Sequence, residues 1–162
     1  MNERTFHWNS PKEISEKVIQ LDKEERINFF RNLDMFKVPM GSLMGFTKIQ
    51  IDDEGSVSFY CKPEEFHYNP IGSVHGGFAA TLLDSCNGVT AQCSLNKGFV
   101  SLTLDLKVNY LRSMSAETGE VIATGKITKS GKKVIFVNGE IRDKNNNLLA
   151  TATSTELVVK VT

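Results

Sequence analysis

One short segment near the middle of the chain carries residue types that could do chemistry. It runs Asn69-Pro70-Ile71-Gly72-Ser73-Val74-His75-Gly76-Gly77, and a single aspartate, Asp84, follows it. Two glycines that open a helix leave backbone N–H groups free and approachable, because neither carries a β-carbon. A helix start of this kind can bind an anion or a developing oxyanion.

Asp84 lies within a run of Leu, Ala and Thr residues. Aspartate is a poor helix former, and an unpaired carboxylate in apolar surroundings is costly. Because Asp84 is unfavourable for the helix, it is a candidate functional residue. A carboxylate in this place could orient a water molecule or take a proton from it.

The spacing of His75 and Asp84 constrains any site that uses both. Nine positions on a continuous helix correspond to about 900° of rotation and about 13 Å of rise, so the two side chains lie on opposite sides. One subunit cannot easily bring them together. If both act on one substrate, we expect a site across a subunit interface, with His75 and Gly76 from one chain and Asp84 from its partner.

The next predicted strand, residues 99–111, supplies a further polar group. Alternation predicts one face with Val100, Leu102, Leu104, Leu106, Val108 and Tyr110, and another with Ser101, Thr103, Asp105, Lys107 and Asn109. Thr103 could project its hydroxyl towards the helix. Equally, it could be an ordinary β-branched strand residue.

The elements that must position these residues follow from periodicity and turn residues. Ser10-Pro11 with Glu13 is typical of a capped helix start, and helical spacing then predicts one or two amphipathic helices over residues 11–34. A β-hairpin (46–51 and 57–61) precedes an apolar helix from Gly76 to about Cys93. Four strands follow, namely 99–111, 119–129, 132–142 and 148–161.

Short connections between these four strands leave no room for crossover helices and predict an antiparallel meander. The fold class is therefore α+β, an antiparallel sheet wrapped around one central helix. We divide the chain into an N-terminal helical extension (1–40) and the sheet domain (41–162). Long edge strands in such a sheet invite pairing with a second copy of the chain.

Bulk properties exclude several classes of protein. The 162 residues fit one domain, and 19 basic side chains balance 19 acidic ones, so no global field favours nucleic acid or an anionic membrane. The N-terminus lacks the apolar core of a signal peptide, and no stretch approaches a membrane span, which predicts a soluble, cytoplasmic protein. Cys61, Cys86 and Cys93 predict reduced, buried thiols, and His7 and His67 lack metal-ligand spacing.

With these motifs in place, the chain resembles the hotdog-fold thioesterases, in the branch related to the phenylacetic acid degradation protein PaaI. The resemblance covers residues from about 45 to 160. It rests on Asn69-x-x-Gly72-x-x-His75-Gly76-Gly77, then Asp84, then the strand with Thr103 and Asn109-Tyr110-Leu111-Arg112. The combination is far more specific than the His-Gly-Gly triplet alone.

The resemblance implies that water hydrolyses an acyl-CoA thioester without an obligatory serine nucleophile. It implies that Asp84 is the general base or nucleophile, and that the Gly76 N–H is the oxyanion-hole donor. Asn69 and His75 match residues that orient the carbonyl or the water. Thr103 matches a Ser or Thr that assists the water, although the turn before its strand varies in length.

The resemblance also implies binding of coenzyme A, as part of the substrate and with no separate cofactor, along the later strands. The matching positions are Gly77, Tyr110, Arg112, Ser113, Lys129, Ser130, Gly131, Lys132 and Lys133. A tight turn with three lysines and a glycine can cradle phosphates, or it can be a solvated edge that discourages aggregation. A homodimer is expected from the split site, and a homotetramer from the family.

Two other functions compete with thioester hydrolysis. A hotdog hydratase would be expected to carry an Asp followed by a His within one segment, and no histidine follows His75. A non-catalytic acyl-CoA sensor or carrier would keep the pocket without turnover. The complete set of Asn69, His75, Gly76 and Asp84 argues against the sensor.

Overall fold

The structure, a computed structural model, describes residues 2–161. Its helices are α1 (Pro11–Gln20), α2 (Lys23–Arg31), α3 (Pro39–Met44) and α4 (Gly76–Gln92). Its strands are β1 (Phe46–Ile51), β2 (Val57–Cys61), β3 (Phe99–Tyr110), β4 (Val121–Ser130), β5 (Val134–Asp143) and β6 (Leu148–Lys160). The predicted α+β hotdog architecture is confirmed, and each predicted element is present with its ends moved by at most three residues.

All six strands form one antiparallel sheet in the order β1-β2-β4-β5-β6-β3. The predicted meander is confirmed for β4, β5 and β6 but is wrong for β3, which pairs with β6 along its whole length. The segment of residues 111–120, which joins β3 to β4, is long enough to cross to the other side of the three-stranded unit. Because β3 crosses to β6, the edge of β4 is free to pair with β2.

The sheet wraps α4 closely because two of its strands carry glycine where the helix passes. A β-carbon at Gly125 in β4 would lie 2.5 Å from Thr90 Oγ1, and one at Gly139 in β5 would lie 2.5 Å from Asn87 Oδ1. Any larger residue would therefore push the helix away from the sheet. Since Leu82, Leu83 and Cys86 of α4 are fully buried in this contact, α4 is held in a fixed position.

The N-terminal helices pack into the same core as α4. Val18 and Phe30 belong to the main cluster of buried apolar residues. The fully buried Arg26 donates hydrogen bonds to the carbonyl oxygens of Gln92 and Phe99 and to that of Val18, and so ties α2 to the end of α4 and the start of β3. The division of the chain at residue 40 stays a prediction.

Capping at the first two helices differs from the predicted pattern. Pro11 occupies the first turn of α1 as expected, but the Ser10 side chain makes no capping hydrogen bond. The capping box lies at α2 instead, where Asp22 accepts from the Glu25 N–H and Glu25 accepts from the Asp22 N–H. The sequence Asp22-x-x-Glu25 has the spacing that a capping box requires.

The two edges of the sheet are unlike each other. β1 is six residues long, and Arg31 of α2 donates two hydrogen bonds to the carbonyl oxygen of Ile51 at its end. β3 is twelve residues long, and its Leu102 and Leu104 are 55% and 60% exposed. An open, long and apolar edge favours pairing with another strand.

Candidate active site

The loop before α4 is built by the side chain of Asn69. Its Oδ1 accepts hydrogen bonds from the backbone N–H groups of Ile71 and Ser73, and its Nδ2 donates to Ser73 Oγ at 3.0 Å. The loop then turns at Gly72, which has a φ of 85°. Within one chain, Asn69 therefore fixes the approach of the loop to the helix.

His75 is the N-cap residue of α4. Its Nδ1 accepts a hydrogen bond of 2.8 Å from the Gly77 N–H, which leaves Nε2 as the protonated nitrogen of the neutral ring. Gly77 must be glycine for this contact, because a β-carbon there would lie 2.9 Å from His75 Nδ1. The cap orients the exposed imidazole at the helix start.

The N–H of Gly76 makes no hydrogen bond with any residue that the structure describes. A β-carbon at this position would come within 3.3 Å of the ring of Tyr110, at the end of β3. Glycine therefore leaves room between the helix start and the strand. The free donor lies at the positive end of the helix dipole, where an oxyanion is favoured.

Asp84 lies two turns further along α4 and accepts a hydrogen bond of 2.9 Å from Thr103 Oγ1. Thr103 thus projects its hydroxyl towards the helix, the first of the two alternatives raised from the sequence. The predicted strand faces are wrong in this region. A β-bulge lies between Thr103 and Asp105, so Thr103 shares the inner face with Leu106 and Val108, which pack against the core.

An apolar cavity of about 330 Å³ opens beside Asp84. Its apolar walls come largely from the N-terminal segment and the first hairpin, whereas its polar wall comes from α4, β3 and β6. Asp84, Ser85, Gln92, Ser101, Thr103 and Glu156 form the polar part. The volume lies within the usual range of small-molecule pockets, and a mostly apolar lining with a few polar groups is typical of them.

Sequence reasoning missed Glu156. It lies opposite Thr103 in the β3–β6 pair, is fully buried, and places Oε2 at 3.3 Å from Thr103 Oγ1. The alternation of β6 contains the signal, because Ala150, Ala152 and Glu156 share one face of the strand. Burial raises the pKa of the Glu156 carboxyl, and the charge of Asp84 raises it further.

The residues predicted to bind coenzyme A fall into two groups at opposite ends of the sheet. Tyr110 lies close to Gly76, and Arg112 and Ser113 follow it on the surface. The basic turn, residues 129–133, is exposed and precedes Val134, which is aligned through Leu157 with Leu102 near the other end of β3. From Leu102 to Tyr110 the strand covers about 26 Å.

The structure therefore brings the predicted site residues together only in part. Asp84 and Thr103 are in contact, and His75, Gly76 and Gly77 are in contact with one another. The two groups are about 12 Å apart along α4. Asn69, His75 and Gly76 do not line the cavity beside Asp84.

Metal sites and membrane spans were also sought among residues 2–161. No group of three or more His, Cys, Asp or Glu side chains in this range could hold a metal ion. No helix in this range is long and apolar enough to cross a membrane. His67 is half-buried, and its pKa is lowered by burial and by the nearby Arg4.

The fold and the arrangement of α4 define the class of protein, a hotdog-fold protein with a polar site at its central helix. Residues 71–150 match the family model of the thioesterase superfamily. Acyl-coenzyme A thioesterase 13 of Mus musculus is 31% identical over 118 residues, which are 71% of this chain and 81% of that protein. The chain belongs to the thioesterase superfamily, whose members hydrolyse thioesters.

Solved structures agree with this assignment. A phenylacetic acid degradation-related protein of Ralstonia eutropha is 28% identical with a TM-score of 0.67, covering 73% of this chain and 88% of that one. A Streptococcus mutans protein bound to acetyl CoA is 25% identical with a TM-score of 0.64, covering 72% and 90%. A thioesterase of Haemophilus influenzae, 20% identical with a TM-score of 0.71 over 87% and 92%, shares the fold. The predicted resemblance is confirmed.

Proposed function

We propose that this protein hydrolyses acyl-CoA thioesters to a free acid and coenzyme A, at a site formed by two subunits. The observation that carries the proposal is the contact of Asp84 with Thr103 at the wall of an apolar cavity. A carboxylate held by a hydroxyl can activate water, and the cavity can receive an acyl group. The similarity to an acyl-coenzyme A thioesterase and to a protein bound to acetyl CoA supports this substrate class.

In the proposed reaction, Asp84 accepts a proton from water as the water attacks the thioester carbonyl. Asp84 Oδ1 is held by Thr103, so Oδ2 remains for the water. The negative charge that develops on the carbonyl oxygen is stabilised by the Gly76 N–H. Collapse of this intermediate breaks the C–S bond, and the proton that Asp84 took from water passes to the departing coenzyme A thiolate. His75, whose Nε2 is left as a donor, and Asn69 orient the carbonyl.

Asp84 is the base in this scheme, and direct attack by its carboxylate is the alternative. The two differ in their first product, because direct attack forms an anhydride with the enzyme whereas base catalysis forms the free acid at once. Trapping with hydroxylamine or incorporation of heavy oxygen from water into Asp84 would identify the anhydride. The arrangement of Thr103 on one carboxylate oxygen supports water activation at the other.

Two subunits are needed in this proposal because the Gly76 end and Asp84 do not meet in one chain. α4 begins near Tyr110, and Gln92 at its other end donates to the carbonyl oxygen of Ser101, so α4 runs antiparallel to β3. A two-fold axis near Leu106 and Lys107 would pair β3 with its copy. Such pairing would bring Gly76 of the partner subunit to the level of Asp84.

The same two-fold axis would unite the two groups proposed to bind coenzyme A. Antiparallel pairing of β3 places the Tyr110 end of one chain beside the Phe99 end of its partner. Arg112 and Ser113 of one chain would then lie at the same end as the basic turn, residues 129–133, of the other. Charge-assisted hydrogen bonds from these residues to the nucleotide phosphates would anchor the substrate.

A second contact between copies is proposed on the outer face of the sheet. Leu102 and Leu104 of β3 and Phe136 of β5 are exposed there, and Phe136 and Leu104 lie at neighbouring levels of the sheet. A pair of dimers joined through these side chains would be the expected homotetramer. Sedimentation velocity of the wild type and of Phe136→Ser would test this contact separately from the dimer.

The N-terminal helices have a place in this function. Ile14 of α1, Phe30 of α2 and Met40 of α3 line the cavity beside Asp84, together with Leu33 in the segment after α2. They would therefore cover the acyl group. A covered apolar pocket favours medium, long or aromatic acyl groups over acetyl.

The test is release of the coenzyme A thiol from a panel of acyl-CoAs with wild type and Asp84→Ala. We expect turnover by wild type and a loss of about a hundredfold or more in the variant, the usual contribution of a general base. Wild type that binds acyl-CoA without turnover on any substrate would establish the sensor instead. An Asp84→Ala variant with near-normal turnover would overturn the mechanism but leave the activity.

A further inference from the structure

Glu156 is the most deeply buried acidic side chain beside the proposed site. It projects from β6 between Thr103 of β3 and Ile135 of β5, its partners in register, and none of its surface is exposed. Its Oε2 lies 3.3 Å from Thr103 Oγ1, and its Oε1 has no hydrogen-bond partner among residues 2–161. A buried polar residue in this position requires an explanation.

The Thr103 hydroxyl has two acidic neighbours and only one proton. Its Oγ1 lies 2.9 Å from Asp84 Oδ1 and 3.3 Å from Glu156 Oε2. A hydroxyl donates one hydrogen bond and can accept others. If both carboxyls were ionised, one of these contacts would join two acceptors without a proton. One carboxyl must therefore carry a proton for both contacts to be hydrogen bonds.

The surroundings decide which carboxyl carries that proton. Glu156 is fully buried, whereas Asp84 is only half-buried. Thr103 on β3 and Ser154 on β6 face Glu156 as uncharged hydroxyls, Ile135 on β5 is apolar, and Asp84 on α4 is the charged neighbour. Burial is the largest influence on the pKa of Glu156 and raises it; Ser154 and Thr103 lower it, the charge of Asp84 adds a smaller increase, and the net direction is upward.

We infer that Glu156 is a positioning residue, which in its neutral form donates its proton to Thr103 Oγ1 and so directs the Thr103 hydroxyl to Asp84. This inference rests on the proposed hydrolysis at Asp84 and adds a third residue to it. Glu156 belongs to the polar wall of the cavity but is fully buried, so we assign it a role through Thr103 rather than at the reacting atoms. It acts by fixing the direction of one hydroxyl.

The direction of that hydroxyl matters for the reaction. With the Thr103 proton on Oδ1, Asp84 is held in one orientation and its Oδ2 is presented to the water. Without Glu156, Asp84 is the remaining described partner of Thr103 Oγ1, so the direction of the hydroxyl depends on that single contact and on competition from water. Substrate binding would be unaffected, whereas the chemical step would slow.

Four variants test the inference by steady-state kinetics: Glu156→Gln, Glu156→Val, Thr103→Val and the double variant Glu156→Val/Thr103→Val. The glutamine is neutral and can donate an N–H to Thr103, so we expect kcat within about threefold of wild type. The valine removes the donor, and we expect kcat to fall about tenfold, the order of one hydrogen bond, with KM within about twofold. The double variant is expected to be no slower than Thr103→Val.

The pH profile of kcat/KM separates positioning from a structural role. If Glu156 is neutral, Glu156→Gln leaves the acid limb of the profile where wild type has it. If Glu156 is ionised, removal of a negative charge beside Asp84 shifts that limb to lower pH and overturns the inference. Losses that multiply in the double variant would also overturn it, because they would show that Glu156 acts independently of Thr103.

An infrared measurement keeps the test independent of activity. A neutral Glu156 gives a carboxylic-acid C=O band at neutral pH that is absent in Glu156→Gln. Absence of the band from wild type overturns the inference even if Glu156→Val does not fold. Lack of turnover on every acyl-CoA, with the band present, would instead reject the proposed function and leave the proton on Glu156.

Discussion

The two ends of the candidate site on α4 are built in opposite ways. At the helix start, Gly76 contributes a backbone N–H that is free within residues 2–161, the Gly77 N–H donates to His75 Nδ1, and His75 is exposed to solvent. Two turns later, Asp84 contributes a side chain, and its neighbours Thr103 and Glu156 lead into a closed interior. In the proposed dimer the exposed end would contact a partner, whereas Asp84, Thr103 and Glu156 of the inner end already meet within one chain.

This difference indicates which part of the proposed site forms when one chain folds and which part forms when two chains assemble. Backbone donors at an exposed helix start are weakened by water. They stabilise an oxyanion strongly only when another surface excludes the water and lowers the local dielectric constant. A carboxylate beside a cavity already has its supporting groups. The inner end would therefore be formed by folding, and the outer end would be completed by assembly.

After Asp84→Ala, the largest loss of turnover is expected from a substitution at Gly76. Gly76→Val places a branched side chain where a β-carbon already meets the Tyr110 ring at 3.3 Å. We expect kcat to fall about a hundredfold, the usual effect of losing an oxyanion-hole donor. The steady-state rate of coenzyme A release measures it.

Gly88→Ala is the matched control for this prediction. It adds a methyl group to the same helix at a position where no atom lies within 4 Å. Because Gly88 lines the cavity, the comparison uses a short acyl-CoA that does not fill it; turnover of that substrate should be kept, and helix stability should rise by up to about 1 kcal/mol. Equal losses in both variants would mean that α4 tolerates no substitution, and would remove the distinction between its two ends.

Mixing two inactive variants tests the assembly of the outer end. Gly76→Val and Asp84→Ala dimers, unfolded together at equal amounts and refolded, should form heterodimers in half of the population. Each heterodimer would have one intact site, so activity should return to about a quarter of wild type. Refolding each variant alone is the control, and a mixture that stays inactive would place the whole site within one chain.

A smaller effect is expected at the cover of the cavity. Phe30→Ala enlarges the apolar wall provided by α2 without touching Asp84. We expect kcat/KM for a long acyl-CoA to rise about fourfold relative to a medium one, because about one more methylene group can be buried. Ile19→Ala in α1, a residue outside the cavity lining, is the control. An unchanged ratio would show that the helices do not contact the acyl group.

The smallest effect is expected at the three cysteines. Cys61, Cys86 and Cys93 are buried and unpaired, and burial raises the pKa of each thiol to about 12. The thiolate is the reactive form, so the native protein at pH 8 should not react with a disulfide reagent. A colorimetric thiol count before and after denaturation checks this. Rapid reaction of the native protein would show that the core opens.

Local structure was predictable from the sequence because local signals determine it. The glycines before α4, the turn residues between strands and the alternation of β1 and β2 each act within a few residues. The order of the strands was not predictable in the same way. Whether β3 pairs with β4 or with β6 depends on the path of residues 111–120 over the sheet.

The candidate site shows the same limit at the level of side chains. Asp84 was identifiable because a charge among apolar helix residues is conspicuous, and Thr103 because it matched a family position. The bulge after Thr103 follows from its pairing with β6, so alternation along β3 alone gave the wrong faces. Glu156 is 53 positions from Thr103, and only the paired strands bring the two together.

The unequal edges of the sheet have a consequence for how far assembly can proceed. A sheet with two open edges can add copies without end, as in a fibre. Here the β1 edge is short and Arg31 already binds the carbonyl oxygen of Ile51, whereas the β3 edge is long and open. Growth by strand pairing would therefore stop after one addition, and the product would be a closed particle of defined size.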